Sequence, residues 1–335
     1  MYVFTVTKEQ RPLMPTTPAK ARRMVASGRA TPFWKKGVFC IRINYACEEK
    51  TQPIAVGIDP GSKKEGYSIM SAAHTYLNIQ ADAVTWVKKH LELRSVLRRG
   101  RRGRKTPYRK CRWNRKIGGI PPSTKARWQW KLRILRWLAK IIPITDVIIE
   151  DIKARTLKGK AKWNITFSPL EVGKQWFYGK IKQLWCLHIF QGYETYEMRT
   201  KLGLKKLGNK MAVDFHAHCV DAWVLANAII GNKTIVDNAN MLLITPLQLH
   251  RRQLHATQPG KNGKRRNYGG TRSMGFKRGD LVEHPKWGIT YVGGNMRGNI
   301  SLHSVKTGKR LCQNVKSNVL KFLTHCSWRT HSSHG

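Results

Sequence analysis

Acidic residues are scarce in this sequence: 18 Asp and Glu stand against 63 Lys and Arg in 335 residues, which gives a formal net charge of +45. Repulsion between so many positive charges opposes a compact fold unless a polyanion supplies counter-charge. Nucleic acid is the polyanion that strongly basic proteins bind. The composition therefore predicts a nucleic-acid-binding protein and leaves open whether the chain also performs chemistry on its partner.

Two other absences exclude further classes of protein. The seven cysteines are odd in number and include no Cys-x-x-Cys pair, which argues against a disulfide framework or a cysteine zinc site and is typical of a reducing cytoplasm. No apolar run reaches the roughly 18 residues of a membrane span, and the N-terminus lacks a signal-peptide pattern, so we expect no membrane partner. With 41% hydrophobic residues and 12 Trp, the chain can still bury a substantial core.

Three of the scarce acids lie where an unpaired carboxylate is costly. Asp59 and Glu150 end β-branched apolar runs, and Asp221 lies in an apolar helical segment. Phosphodiester hydrolysis by two metal ions needs carboxylates that hold the ions about 4 Å apart. We therefore predict these three acids as ligands of two Mg²⁺ ions, with Mn²⁺ as a possible substitute. Only a fold that returns all three to one sheet edge assembles such a site.

His218 is the candidate general base. It precedes Asp221 by three residues, so the two share a helical face, and a neutral imidazole there could accept a proton from the attacking water. Asp214 and His216 are the alternatives, seven and five residues before Asp221. A single histidine on a helix is more often structural than catalytic, and it is the combination with the acids that favours His218.

Apolar periodicity predicts a mixed α/β sheet with flanking helices. The expected order is three strands in 53–83, a basic helical insertion from Trp86, a helix from Ser123 or Thr124, a strand 144–150, a helix 172–189, a strand 193–198 and a helix 210–230. A Gly-rich basic stretch follows, and short apolar runs in 276–323 predict a small β-barrel. His331 and His334 would lie in a frayed end.

The basic insertion is the strongest candidate for a nucleic-acid contact. Residues 94–116 contain twelve Lys or Arg and no acid; such crowding destabilises an isolated helix, so we expect its order to depend on a phosphate backbone. A disordered basic linker is the alternative. A short N-terminal helix capped by Thr17 carries further arginines, which could equally be solvated charges. The predicted contacts are Arg94, Arg98, Arg99, Arg101, Arg102, Arg104, Lys105, Arg109 and Arg112, with Arg22 and Arg23 on the N-terminal helix.

Four motifs together resemble a known family. They are Pro12-Leu13-Met14-Pro15, Gly57-Ile58-Asp59-Pro60-Gly61-Ser62, Arg98-Arg99-Gly100-Arg101-Arg102 and His218-x-x-Asp221-Ala222. The set is similar to IsrB, an omega-RNA-guided, transposon-encoded relative of IscB and of the CRISPR effectors with a split RuvC nuclease. IscB proteins carry an HNH nuclease between the second and third RuvC segments. Here the 70 residues between Glu150 and Asp221 are already needed for two helices and a strand, so the resemblance points to the HNH-lacking type.

The resemblance implies an RNase H-like (RuvC) sheet split by an arginine-rich bridge helix. It also implies an N-terminal PLMP unit and a small C-terminal β-barrel module. The implied segments are 1–52 PLMP domain, 53–83 RuvC segment I, 84–120 bridge helix, 121–205 RuvC segment II, 206–232 RuvC segment III and 233–335 region that contacts RNA and the target-adjacent motif. Asp59, Glu150, His218 and Asp221 match the RuvC catalytic positions.

The function implied is an omega-RNA-guided nickase that cuts the non-target strand of an R-loop at a single RuvC centre. Its partners would be the guide (omega) RNA and double-stranded target DNA, with one protein chain per ribonucleoprotein in a prokaryotic, nucleoid-associated cytoplasmic setting. Two other functions remain open. One is a stand-alone RuvC-like nuclease that acts on DNA shape, and the other is a guide-RNA-binding, non-cleaving programmable DNA-binding protein.

Overall fold

The computed structural model describes residues 2–102, 119–153, 168–248, 272–296 and 298–333. The N-terminal unit is a four-stranded sheet of β1 (Val3–Val6), β2 (Pro12–Thr16), β3 (Ala30–Lys35) and β4 (Val38–Ile43), in the order β2-β1-β4-β3, with helix α1 (Pro18–Ala26) between β2 and β3. The Thr17 side chain accepts a hydrogen bond from the Lys20 backbone N–H, and proline follows at the first helical position. The predicted capped helix is thereby confirmed.

A seven-stranded mixed sheet forms the centre of the protein. Its strands are β5 (Ala55–Asp59), β6 (Lys64–Met70), β7 (Thr75–Asp82), β8 (Asp146–Asp151), β9 (Cys186–Gln191), β10 (Met241–Pro246) and β18 (Trp328–Ser333), in the order β18-β10-β7-β6-β5-β8-β9. β6 runs antiparallel to β5 and β7, whereas β8 and β9 run parallel to β5. These first five strands of the sheet, numbered along the chain, lie in the order 3-2-1-4-5, and the second runs antiparallel to its neighbours. This is the RNase H-like arrangement that the family resemblance implied.

Helices cover both faces of this sheet. On one face α3 (Pro122–Leu138) and α4 (Pro169–Lys182) pack with the strand residues Val56, Ile58 and Ile149. On the other face α5 (Gly192–Lys201) and α6 (Phe215–Ala226) pack with the alternate residues of the same strands, Ala55 and Ile148. The period of two in the strands therefore builds two separate cores. A π-helical turn, Asn227–Gly231, extends α6.

Three elements differ from the sequence-based expectation. The helix predicted at 172–189 ends at Lys182 as α4, because strand β9 begins at Cys186 and pairs with β8. The strand predicted at 193–198 is wrong, because helix α5 occupies this segment and β9 ends at Gln191. The Glu194 carboxylate accepts a hydrogen bond from the Gln191 backbone N–H at 2.5 Å, which starts the helix. Helix α6 begins at Phe215, later than the predicted residue 210, because the Asp214 side chain caps it through the His216 N–H at 2.7 Å.

The predicted basic helix is present as α2 (Trp86–Arg102). The side chains of Arg94, Arg98 and Arg99 are exposed on it, as are those of Arg22 and Arg23 on α1. The side chains of Arg101 and Arg102, and the whole of residues 103–118, lie outside the described residues. The predicted contacts there are Arg104, Lys105, Arg109 and Arg112.

The C-terminal strands form an antiparallel sheet of β13 (Leu281–His284), β14 (Gly288–Met296), β15 (Asn299–Ser304), β16 (Arg310–Val315) and β17 (Lys321–Thr324), preceded by the short pair β11 (Arg272–Ser273) and β12 (Phe276–Lys277). The sheet order is β16-β15-β14-β13-β17, so within the described residues no pairing closes the predicted barrel. The frayed end expected around His331 is wrong, because β18 pairs with β10 as an edge strand of the central sheet. His334 lies outside the described residues. Among the helices that are described, none has the length and apolar character needed to span a bilayer.

Candidate functional site

Helix α6 lies unusually close to the central sheet at two glycines. A β-carbon at Gly57 of β5 would lie 1.8 Å from the backbone oxygen of Ala222, and one at Gly66 of β6 would lie 2.0 Å from the backbone oxygen of His218. Both strand positions therefore admit only glycine. This close approach brings the acid-bearing turn of α6 to the end of β5.

The three predicted acids meet at this edge of the sheet. Asp59 is the last residue of β5, and Glu150 lies near the end of the parallel neighbour β8, where Ile58 pairs with Ile149. Asp221 reaches the same edge from α6, and both aspartates are buried. Residues separated by 91 and 71 positions in the sequence thus lie close enough to interact electrostatically.

Two basic side chains compensate the charge of the cluster. The Lys206 ammonium lies 3.0 Å from Asp59 Oδ2 and 2.5 Å from Asp221 Oδ2. Arg199 of α5 forms an ion pair with the other oxygen of Asp221. Burial lowers the pKa of Lys206, but the two carboxylates outweigh burial and raise it above its ordinary value. Lys206 therefore remains charged and links β5 to α6.

Glu150 is the member of the cluster without a direct ion pair. Within the described residues its carboxylate has no hydrogen bond or ion pair, and a β-carbon at Gly192, the first residue of α5, would lie 3.3 Å from its Oε1. Burial, and then the charges of Asp59 and Asp221, raise the pKa of Glu150 to about 7. Burial also raises the pKa of Asp59 despite the opposing effect of Lys206. Carboxyl groups in this state gain from a further positive charge.

The cluster fits divalent cations on the chemistry of its donors. Three carboxylates from two strands and a helix supply the hard oxygen ligands that Mg²⁺ prefers. Lys206 already places a positive charge between Asp59 and Asp221, whereas burial and the two aspartates still leave the pKa of Glu150 raised. A bound cation would be held by these acids in place of the Lys206 ammonium.

His218 is buried beside the aspartates, close enough to Asp59 for an electrostatic interaction. Its Nε2 lies 2.9 Å from the backbone oxygen of Lys210. A carbonyl oxygen only accepts, so in the neutral ring Nε2 carries the proton and Nδ1 keeps its lone pair. The alternatives have other contacts: Asp214 caps α6, and His216 Nδ1 lies 3.2 Å from the Lys205 carbonyl oxygen.

A different group of metal-ligating side chains lies at the opposite end of β8. Asp146, Cys186 and His188 hold ligand atoms within 4.8 Å of one another, the sole group at this spacing in the part of the chain that is described. His188 Nε2 is 2.8 Å from Asp146 Oδ1. Asp59, Glu150 and Asp221 do not form a group at this spacing. The Asp146 group is therefore distinct from the predicted acids.

Sequence reasoning missed four residues that shape this site. Gly57 and Gly66 had a usable signal, because glycine inside an apolar strand marks a close backbone approach. Lys206 and Arg199 had none: in a chain with 63 basic residues, no local pattern distinguishes the two that contact the acids.

Comparison with known proteins places part of the chain in context. No curated protein matches the sequence. Among solved structures, T. thermophilus RuvC in complex with a Holliday junction substrate is 13% identical, with a TM-score of 0.25 over 52% of this chain and 90% of that one. The yeast mitochondrial Holliday junction resolvase is 14% identical, with a TM-score of 0.28 over 53% of this chain and 78% of that one. Residues 3–162, just under half of the chain, match the family described as RRXRR protein, and Arg98-Arg99-Gly100-Arg101-Arg102 has the pattern that this name spells.

Proposed function

We propose that the protein is an omega-RNA-guided DNA endonuclease of the IsrB type, which nicks the displaced, non-target strand at a single centre. The observation that carries this proposal is the convergence of Asp59, Glu150 and Asp221 at one edge of an RNase H-like sheet. Acids are costly to bury without compensation, and their arrangement here suits phosphodiester hydrolysis supported by divalent cations.

The roles of the site residues follow from their contacts. Two divalent ions held by Asp59, Glu150 and Asp221 would activate water and stabilise the leaving oxygen. His218 has its Nε2 proton committed to the Lys210 carbonyl, so Nδ1 is the atom that can take a proton from water. Arg199 remains on Asp221 and keeps that carboxylate oriented.

Guidance by RNA is supported by charge and by the basic helix α2. Arg94, Arg98 and Arg99 are exposed on this helix, and the chain as a whole carries a formal charge of +45. A nuclease that acts on DNA shape alone has no need of this excess. In a guided enzyme the protein contacts backbone phosphates, and base pairing reads the sequence.

The test is purification of the protein with its bound RNA, sequencing of that RNA, and incubation of the complex with a supercoiled plasmid that carries the matching target. We expect Mg²⁺-dependent conversion to the nicked circle. Asp59→Ala should abolish nicking while guide-dependent DNA binding persists, whereas Asp146→Ala, the same change at the far end of β8, should leave nicking intact. Nicking without bound RNA would indicate a stand-alone nuclease, and RNA-dependent binding without nicking would indicate a programmable DNA-binding protein.

A further inference from the structure

Helix α5 exposes two tyrosine rings to solvent. Tyr193 is 65% exposed and Tyr196 is 59% exposed, more than any other aromatic side chain in the described residues. Three residues apart, they share one side of the helix. The buried side of α5 is formed by other residues, Thr195 and the partly buried Met198, so the fold does not require these rings.

The two tyrosines lie at the rim of the acid cluster. Gly192, directly before Tyr193, is the residue whose β-carbon would approach Glu150. Arg199 contacts Asp221, and its Cζ lies 5.4 Å from the centre of the Tyr196 ring. Helix α5 thus borders the acids along its length and carries the rings beside them.

The charges around the rings match a polyanion. Arg199, Lys201, Lys205 and Lys206 follow the tyrosines in the sequence, and Lys201 and Lys205 are exposed. Of the acids on α5, Glu194 is engaged in starting the helix, and Glu197, one turn after Tyr193, is outnumbered by these four basic residues. A second copy of this chain would bring more positive charge to the same place, which disfavours it as the occupant.

We propose that Tyr193 and Tyr196 form a stacking platform for unpaired bases of the DNA strand that enters the catalytic centre. This inference rests on the proposed function and adds to it a structural reason for acting on an unpaired strand. Bases in a duplex are already stacked on one another, whereas those of a displaced strand have free faces. Aromatic rings bind such faces with little sequence preference, and the neighbouring basic side chains hold the backbone.

The experiment compares nicking of a pre-opened, bubbled target by the guide-loaded protein and its variants. Tyr193→Ala combined with Tyr196→Ala should lower kcat/KM roughly 30-fold or more, since each lost base contact weakens binding several-fold. The paired Phe variants keep the ring faces and should retain near wild-type activity. The paired Leu variants keep apolar volume without the ring and should behave like Ala. Leu184→Ala is the control, since Leu184 is 50% exposed at the opposite end of the sheet.

A second readout is independent of cleavage. When the Asp59→Ala protein binds DNA with 2-aminopurine in the unpaired strand, the fluorescence of the 2-aminopurine should be quenched. Adding Tyr193→Ala and Tyr196→Ala should abolish this quench. The salt dependence of binding should stay the same, because stacking releases no counterions. If the paired Ala variants keep the kcat/KM and the fluorescence quench of the wild type, the stacking platform is refuted, whereas the proposed nuclease activity is not. Phe variants as impaired as Ala would also overturn the stacking platform. If the quench depends on the two tyrosines but the wild-type protein never nicks DNA, the stacking platform is supported and the proposed nuclease activity is refuted.

Discussion

Lys206→Met is the substitution whose effect follows most directly from the structure of the site. It removes the ammonium that pairs with both Asp59 and Asp221 and keeps an unbranched side chain that is one atom shorter. Breaking a buried ion pair costs about 3–5 kcal/mol, because the remaining charge is left uncompensated. The Lys206 side chain is 31% exposed and Arg199 still compensates Asp221, so we expect a loss of about 2–3 kcal/mol in metal-free buffer.

Divalent cations should reverse this loss. In the wild-type protein a bound cation must displace Lys206 from the two aspartates, whereas in the variant the carboxylates are free to bind it. Mg²⁺ should therefore bind the variant more tightly and raise its melting temperature more than that of the wild type. We expect the variant to melt about 3–4 °C lower in a chelator and to regain most of this difference as Mg²⁺ is added.

The assay is thermal unfolding monitored by tryptophan fluorescence over a Mg²⁺ titration, with isothermal calorimetry for the affinity. Lys205→Met is the matched control, since the neighbouring lysine is exposed and forms no ion pair with the cluster within the described residues. The control should match the wild type in both buffers. Equal melting temperatures for Lys206→Met and wild type without metal would refute the ion pairs. A deficit that Mg²⁺ does not reduce would refute the assignment of Asp59 and Asp221 as cation ligands.

Three further predictions follow from the geometry. Between its ordinary pKa of 4.5 and its folded-state pKa of about 7, Glu150 is protonated in the folded protein and ionised in the unfolded chain, so the stability of the wild type falls as the pH rises through this window. Without metal at pH 8, Glu150→Gln should be about 1–2 kcal/mol more stable than the wild type, a figure that allows for solvent screening. At pH 4 denaturant titrations should give the two proteins equal stability. In the same titration, Gly66→Ala should lower the free energy of unfolding by about 3 kcal/mol, because the added β-carbon meets the backbone of α6. The control Gly179→Ala on α4 has open space around it and should be neutral or stabilising. Equal effects of the two substitutions would refute the close approach of α6 to β6. Arg98→Ala with Arg99→Ala should reduce the salt dependence of nucleic-acid binding by about 0.9 ion for each lost phosphate contact on a duplex, and an unchanged slope in filter binding would exclude α2 from the interface.

The positions of the acids could be predicted because strand ends are encoded locally. Alternating apolar residues before Asp59 and a β-branched run before Glu150 define two buried strands, and parallel neighbours bring their ends to one edge. The helix that carries Asp221 was predicted for the same reason, from its apolar periodicity. These patterns reflect which side chains are buried, and the local spacing of apolar residues is enough to predict that.

The errors arose where a long-range contact or a cap outweighs the local pattern. The segment 193–198 contains the strand-favouring residues Tyr and Thr, but Glu194 caps a helix there, and both tyrosines are exposed. β18 forms by pairing with β10, which precedes it by more than eighty residues, and the sequence of 328–333 contains no local pattern that predicts this pairing. Lys206 likewise depends on Asp59, 147 positions away.

The electrostatics of the site reconcile its acids with a polyanionic substrate. In the proposed nuclease, the excess positive charge would attract a DNA strand, but three clustered carboxylates would repel a phosphate that approaches them. Lys206 and Arg199 offset that repulsion in the absence of metal, and bound cations would offset it more fully. Phosphate approach and cation occupancy should therefore be coupled, because each lowers the electrostatic free energy of the other. Mg²⁺ should therefore bind more tightly to the DNA-loaded protein than to the free protein. Calorimetry with and without a non-cleavable DNA strand measures the two Mg²⁺ affinities. Equal affinities would show that the scissile phosphate does not reach the acids.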